Sequence, residues 1–107
     1  MKKLFIGLLT SMFITSFAYA GCSDISCKEK MSRVYPQGDR VYISLNGRVH
    51  PSNCSLVGGW YFTLLDSNPK HEEIYALALA AKLSDKPVLL RTKDGSNICE
   101  IVYAILE

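Results

Sequence analysis

The sequence predicts a small, mainly β domain of the α+β type that contains a single helix. Short segments with the alternating pattern of β-strands follow one another closely, and turn-forming Gly, Pro, Asn and Asp residues separate them. One segment, 69–84, instead repeats its apolar residues at helical spacing. A chain of 107 residues has room for one such domain.

Three strands are expected before the helix, at 33–35, 40–45 and 60–65, after a polar segment 21–32 that is irregular or lies at a sheet edge. Asn46-Gly47 behind the second strand is a strong hairpin signal, because both residues tolerate a positive φ, and a return strand would follow it. The third strand is aromatic and apolar on both faces, which is typical of a central strand.

The helix is expected to begin at Asn68-Pro69, since asparagine caps helices well and proline suits the first helical position. It ends near Ser84, before Pro87. Two strands follow, at 88–92 and 98–106. The last is apolar on both faces, so we expect it to be buried on both sides.

In so small a domain, five short strands and one helix must curl to cover their apolar faces. The order β-β-β-α-β-β therefore predicts a five-stranded barrel with the helix between the third and fourth strands. This is the connectivity of the oligonucleotide/oligosaccharide-binding (OB) fold. A ferredoxin-like sandwich, the main alternative, normally needs a second helix that the sequence does not show.

Residues 1–20 have the features of a secretory signal peptide, which leaves 21–107 as the working domain of a periplasmic or secreted protein. A basic start leads into an apolar stretch, 4–17, that is shorter than the roughly 20 residues of a comfortable membrane span. Small residues at Ala18 and Ala20 then fit the cleavage rule. No transmembrane span is expected once the signal is removed.

The charge of the working domain is balanced. The whole chain has 12 basic and 10 acidic residues, and removal of Lys2 and Lys3 with the signal leaves 10 of each. A formal net charge of zero argues against nucleic-acid binding, which needs a basic surface. It also permits self-association, because no net repulsion keeps copies apart.

Four cysteines follow the signal: Cys22, Cys27, Cys54 and Cys99. In an oxidising compartment an even number indicates two disulfides, and three pairings are open. We favour Cys54–Cys99, which ties the middle of the chain to its last strand and contributes about 4 kcal/mol in the chain-entropy model. Cys22–Cys27 would then close a small loop. An alternative fate for Cys22 is lipidation, because Ala20-Gly21-Cys22 also fits the end of a lipoprotein signal.

The sequence predicts that the protein is not an enzyme and holds no metal or cofactor. Neither His50 nor His71 has a nucleophile in a recognisable context, and neither cysteine pair has zinc-ligand spacing. Glu72 and Glu73 point about 100° apart at the solvated start of the helix. Gly58-Gly59 precedes a strand, so it indicates a turn and not a phosphate-binding loop.

Sheet aromatics are the candidate ligand-binding residues, namely Tyr42, Trp60 and Tyr61. An exposed aromatic ring can stack on a sugar face, and tyrosine and tryptophan also offer a hydrogen-bonding group.

The helix carries two apolar stripes. The first, Ile74, Leu77, Ala78 and Ala81, is expected to face the core. The second consists of Tyr75, Leu79 and Leu83 and would leave an apolar patch in water. We expect it to form the interface of a homo-oligomeric ring. The alternative is that segment 52–59 or the N-terminal segment covers it within one chain.

The segment 73–90, EIYALALAAKLSDKPVLL, resembles in layout the B subunits of pertussis-type and subtilase-type A–B toxins. There too an Ala/Leu-containing helix follows early strands and precedes a turn, a strand and a cysteine-bearing terminal strand. The similarity covers about residues 40–106. It implies an OB-type barrel, a ring-forming oligomer and glycan binding. No sugar-contacting motif of those toxins is matched, so it assigns no binding residue.

The predicted function is that of an exported, non-enzymatic binding module that recognises a glycan or a host surface, as a toxin B subunit does. The alternative is a periplasmic inhibitor or immunity protein that binds a partner enzyme. Composition does not separate the two, because both need a small, disulfide-bonded, neutral domain.

Overall fold

The structure, a computed structural model, describes residues 21–107, so the predicted signal peptide lies outside the described residues. Residues 21–107 form two antiparallel sheets and one α-helix, which agrees with the mainly β class. The elements are β1 (Gly21–Cys22), β2 (Ser26–Glu29), β3 (Met31–Gln37), β4 (Arg40–Leu45), β5 (Phe62–Leu65), α1 (His71–Leu83), β6 (Val88–Thr92) and β7 (Ile101–Leu106). In this part of the chain, no helix has the length and hydropathy needed to cross a membrane.

The first sheet has the strand order β1-β2-β6-β7. In the hairpin of β1 and β2, Cys22 lies opposite Cys27, and a disulfide joins them. β2 then pairs antiparallel with β6, and β6 with β7. The N-terminal segment, expected to be irregular or edge-like, thus supplies an edge strand and an interior strand. β2 is held there because β6 pairs with its backbone and Cys27 is buried in the core.

The second sheet has the strand order β3-β4-β5. Gly38 (φ 62°) forms the turn between β3 and β4, in the left-handed region that favours glycine. Val41 and Ile43 of β4 are buried, and Tyr42 between them points to the opposite face. β3 extends through Pro36, beyond the predicted 33–35, because an edge strand tolerates a residue without an N–H.

The hairpin expected at Asn46-Gly47 does not form. These residues lie in a short 3₁₀ turn, Asn46–Arg48, in which Gly47 has a φ of 76°. The chain then runs to β5 as a mostly irregular segment, 49–61, so the expected return strand is absent there. The disulfide Cys54–Cys99 fastens this segment to the chain just before β7. Long-range contacts therefore decide the path here, against the local turn signal.

The expected five-stranded closed barrel is not supported, because neither sheet formed by residues 21–107 closes on itself. The sheets meet at two places. Lys30 alone separates β2 from β3, so one continuous stretch of chain contributes to both sheets. On the other side, Thr63 and Glu100 form an isolated parallel bridge, in which the Thr63 N–H donates to the Cys99 carbonyl at 3.2 Å.

The helix begins at His71, slightly later than predicted, because Asn68 and Pro69 form the turn before it. The Asn68 side chain accepts a hydrogen bond from the Lys70 N–H at 2.8 Å and donates one to the Ile101 carbonyl at 3.0 Å. It therefore orders the start of the helix and ties it to β7. The helix buries Ile74, Ala78 and Ala81, which belong to the predicted core stripe.

The hydrophobic core lies between the two sheets and the helix. Its buried members are Cys27, Met31, Val41, Ile43, Leu45, Phe62, Leu64, Ile74, Ala78, Ala81, Val88, Leu90, Cys99 and Ile101.

The last strand is not buried on both faces, contrary to expectation. β7 starts at Ile101, three residues later than predicted, because Cys99 adopts a positive φ of 43° and the pairing with β6 shifts register next to Thr92. It lies at the edge of its sheet. Consequently Val102, Tyr103 and Ile105 are exposed.

Candidate functional site

Three tyrosines form a cluster on the outer face of the second sheet. Tyr35 on β3 lies opposite Tyr42 on β4, and Tyr61 comes directly before β5. The ring centroids are 5.9 Å apart for Tyr35 and Tyr42, 6.1 Å for Tyr35 and Tyr61, and 5.5 Å for Tyr42 and Tyr61. All three spacings lie in the range of favourable aromatic pairs. We call these residues the tyrosine cluster.

The tyrosine cluster presents both rings and polar groups to solvent. Tyr35 is 42% exposed, and Tyr42 and Tyr61 are half-buried. The Arg33 guanidinium donates a hydrogen bond to the Tyr61 hydroxyl at 2.9 Å, which fixes that side chain. Such a surface combines apolar ring faces with hydroxyl and guanidinium donors. Sugars need both kinds of contact.

A charged pair stands beside the cluster, at the turn between β3 and β4. Arg40 Nε donates to Asp39 Oδ1 at 2.9 Å. This hydrogen bond, together with the positive charge of Arg40, holds the pKa of the Asp39 carboxyl below its ordinary value, and Asp39 in turn raises the pKa of Arg40. An open groove of about 440 Å³ runs from this pair to Leu65, Asp66 and Ser67.

Thr63 of β5 lies opposite Tyr42 in the sheet and therefore shares the face of the tyrosine cluster. Its side chain is buried, and within residues 21–107 its hydroxyl has no hydrogen-bond partner. A buried hydroxyl without a partner carries a desolvation cost, which a bound water or ligand group can offset.

Of the three predicted ligand-binding residues, the structure brings two together. Tyr42 and Tyr61 belong to the tyrosine cluster, whereas the ring of Trp60 packs against Arg48. The guanidinium carbon lies 3.9 Å from the ring centroid of Trp60, a cation–π contact. Arg48 also donates to the Gly59 carbonyl at 3.4 Å. Trp60, on the irregular segment before β5, and Arg48, at the end of the 3₁₀ turn, thus form a separate exposed pair.

The histidines make local contacts. His50 Nδ1 lies 2.9 Å from the Pro51 carbonyl, and His71 Nδ1 lies 3.1 Å from the Leu65 carbonyl. His71 Nε2 is 3.5 Å from Asp66 Oδ1, and the ring is half-buried. Across the described part of the chain, no three potential metal ligands lie together.

The second helical stripe is only partly covered. Tyr75 is half-buried next to His71, with a centroid distance of 6.2 Å. Leu79 is 38% exposed and Leu83 is 86% exposed. Neither segment 52–59 nor the described N-terminal segment therefore shields these two leucines.

Sequence reasoning did not select Tyr35 and Arg33 as site residues. The signal was present in the turn at Gly38, because a hairpin centred there puts Tyr35 opposite Tyr42. Arg33 is two residues before Tyr35 and therefore shares its face. The contact between Trp60 and Arg48 had no comparable signal, since an irregular segment has no periodicity.

The chain matches no known protein family. It is also similar to no curated protein and to no solved structure.

Proposed function

We propose that the protein is an exported, non-enzymatic binding module whose tyrosine cluster binds a glycan. The observation that carries the proposal is the packing of three tyrosine rings on a solvent-facing sheet surface, next to an arginine that is already hydrogen-bonded to one of them. A sugar ring stacks on the exposed face of Tyr35, and its hydroxyl groups pair with the phenol and guanidinium groups around it.

The fold proposal that goes with this function is an OB-like unit made by the two sheets together. Three contacts support it: the continuous stretch through Lys30, the bridge between Thr63 and Glu100, and the pairing of β2 with β6. In OB domains the second and third strands form the ligand-binding face. In this chain those strands correspond to β4 and β5, which carry or adjoin Tyr42 and Tyr61. The resemblance to toxin B subunits points to the same class of ligand.

A glycan array with the exported protein, followed by calorimetry on each hit, tests the proposal. Tyr35→Ala is expected to weaken binding about tenfold, because it removes a stacking ring worth about 1 kcal/mol or slightly more. The matched control is Tyr103→Ala, since Tyr103 is 43% exposed but lies on the other sheet. Equal losses for the two variants would contradict the assignment of the tyrosine cluster as the binding site.

The second candidate function is inhibition of a partner enzyme. The observation that favours it is that three apolar residues of β7 are exposed: Tyr103 and Ile105 on one face of the strand and Val102 on the other. The glycan array together with a pull-down distinguishes glycan binding from enzyme inhibition. Absence of any glycan hit, together with stoichiometric capture of one enzyme that Tyr103→Ala abolishes, would replace the glycan proposal with the inhibitor.

A further inference from the structure

The solvent face of α1 is mostly apolar, and its charged residues lie only in the first and last turns. Ala76, Leu79, Ala80 and Leu83 are exposed along it. Glu72 and Glu73 occupy the first turn and Lys82 the last. Within residues 21–107 none of these three charges forms an ion pair. An exposed helix normally places charged residues in the middle of its outer face, where this helix has alanine and leucine.

This face is complementary to itself when a second copy runs antiparallel to it. A two-fold axis between Leu77 and Ala78 brings position 79 opposite position 76, position 82 opposite 73, and position 83 opposite 72. Each Leu79 then packs over the small Ala76 of the partner subunit. The ends match as well. Lys82 is level with position 73 of the second copy, but positions 73 and 82 are about 180° apart around the helix, so the carboxylate within its reach is Glu72 of the partner subunit, one residue along and on the same flank. Small residues at 76 and 80 allow the close approach.

We infer that two copies of this chain associate through α1, as an antiparallel helix pair about a two-fold axis. A second copy is the occupant that fits. When the same face runs antiparallel, its large residues meet small ones and its basic end meets the acidic end of the other copy. The zero net charge of residues 21–107 does not oppose the association. A 13-residue helix is about 20 Å long, so the interface is small and we expect a weak dimer. The inference is independent of the tyrosine cluster, which lies on the outer face of the β3-β4-β5 sheet.

Sedimentation velocity of the exported protein, from low to high micromolar concentration, tests the inference. The wild-type chain is expected to shift from monomer to dimer. Leu79→Glu is expected to raise the dissociation constant about tenfold or more, because it places a charge in the apolar contact. Ile105→Glu is the matched control: Ile105 is 40% exposed but lies on β7, so its substitution leaves the dissociation constant unchanged.

Exchange of the two charges distinguishes this antiparallel helix pair from any other contact made through α1. Lys82→Glu alone is expected to weaken the dimer about threefold, as an exposed ion pair allows. The double variant Glu72→Lys, Lys82→Glu restores it, because the pair re-forms with its signs reversed. These two residues are exposed, so the exchange remains decisive even where Leu79→Glu fails to fold.

Zero-length cross-linking adds a direct reading. Residues 72 and 82 are about 15 Å apart within one helix, so a cross-link between them must join two copies. Such a link supports the inference. A monomer at every concentration, with residues 1–20 retained or removed, overturns it. A larger ring, a double variant that does not recover, or cross-links found only away from α1 overturn it too.

Discussion

At the scale of single residues, the pKa of the Asp39 carboxyl depends on its neighbour Arg40. The hydrogen bond and charge of Arg40 lower the pKa of the Asp39 carboxyl below 3.8, its ordinary value. Because the pKa of this carboxyl is lower in the folded state, its ionisation stabilises the fold at pH values above its pKa in the unfolded chain. This stabilisation is lost as the pH falls through the pKa of the folded state. NMR titration is expected to place the midpoint of the Asp39 titration below 3.8. In the variant Arg40→Gln, we expect the midpoint to rise back toward that ordinary value. An unchanged midpoint in that variant would show that another group causes the shift.

Ile43 illustrates the cost of a single methylene group in the core. It is fully buried on β4, among side chains from both sheets. Ile43→Val is expected to lower the free energy of unfolding by about 1 kcal/mol, the usual cost of this truncation in a packed site. The same substitution at Ile105, which is exposed, is expected to change it by a few tenths of a kcal/mol at most. Chemical denaturation of both variants checks the difference, and equal effects would contradict the burial of Ile43.

Among the structural elements, the two disulfides differ in the length of chain that they close. Cys54–Cys99 spans 45 residues and Cys22–Cys27 spans 5. In the chain-entropy model their removal costs about 4 and about 2 kcal/mol, respectively. Replacing each pair with alanine and measuring unfolding by denaturant is expected to show the larger loss for Cys54 and Cys99. Cys27 and Cys99 are both buried, so each replacement also removes one buried sulfur, and the loop length decides the order. The reverse order would contradict this account.

The elements also show what the sequence can and cannot predict. Alternation along 40–45 and helical spacing along 69–84 identified β4 and α1, because burial of one face gives each its period. The hairpin predicted at Asn46-Gly47 was wrong. Long-range contacts such as the disulfide Cys54–Cys99 hold the segment after it, and no return strand forms there. The sequence named Tyr42 and Tyr61 as candidate ligand-binding residues, but it did not predict that they pack together with Tyr35, because that contact depends on strand register. Register becomes visible only once the turn at Gly38 is known.

At the scale of the whole molecule, two modifications of the Cys22 sulfur exclude each other: a disulfide with Cys27 and attachment of a lipid. Its sulfur is bonded to Cys27 in the structure, and a sulfur in a disulfide has no free valence for a lipid. Mass spectrometry of the exported protein is therefore expected to show an N-terminus at Gly21 and a mass four hydrogens below that of the reduced chain. A diacylglyceryl mass on Cys22 would favour the anchored form, and an intact Met1 would exclude both.

The pairing of β2 with β6 joins residues 26–29 to residues 88–91, near the two ends of the domain. The first sheet therefore cannot assemble until nearly the whole polypeptide is available, and no early fragment of it contains a partner for the N-terminal hairpin. Closing so long a stretch of chain is entropically costly, which makes the folding of such a sheet slow relative to that of a helix. Late folding would suit the export predicted from residues 1–20, because an exported polypeptide crosses the membrane unfolded. The last strands to emerge complete the sheet that the first strands begin.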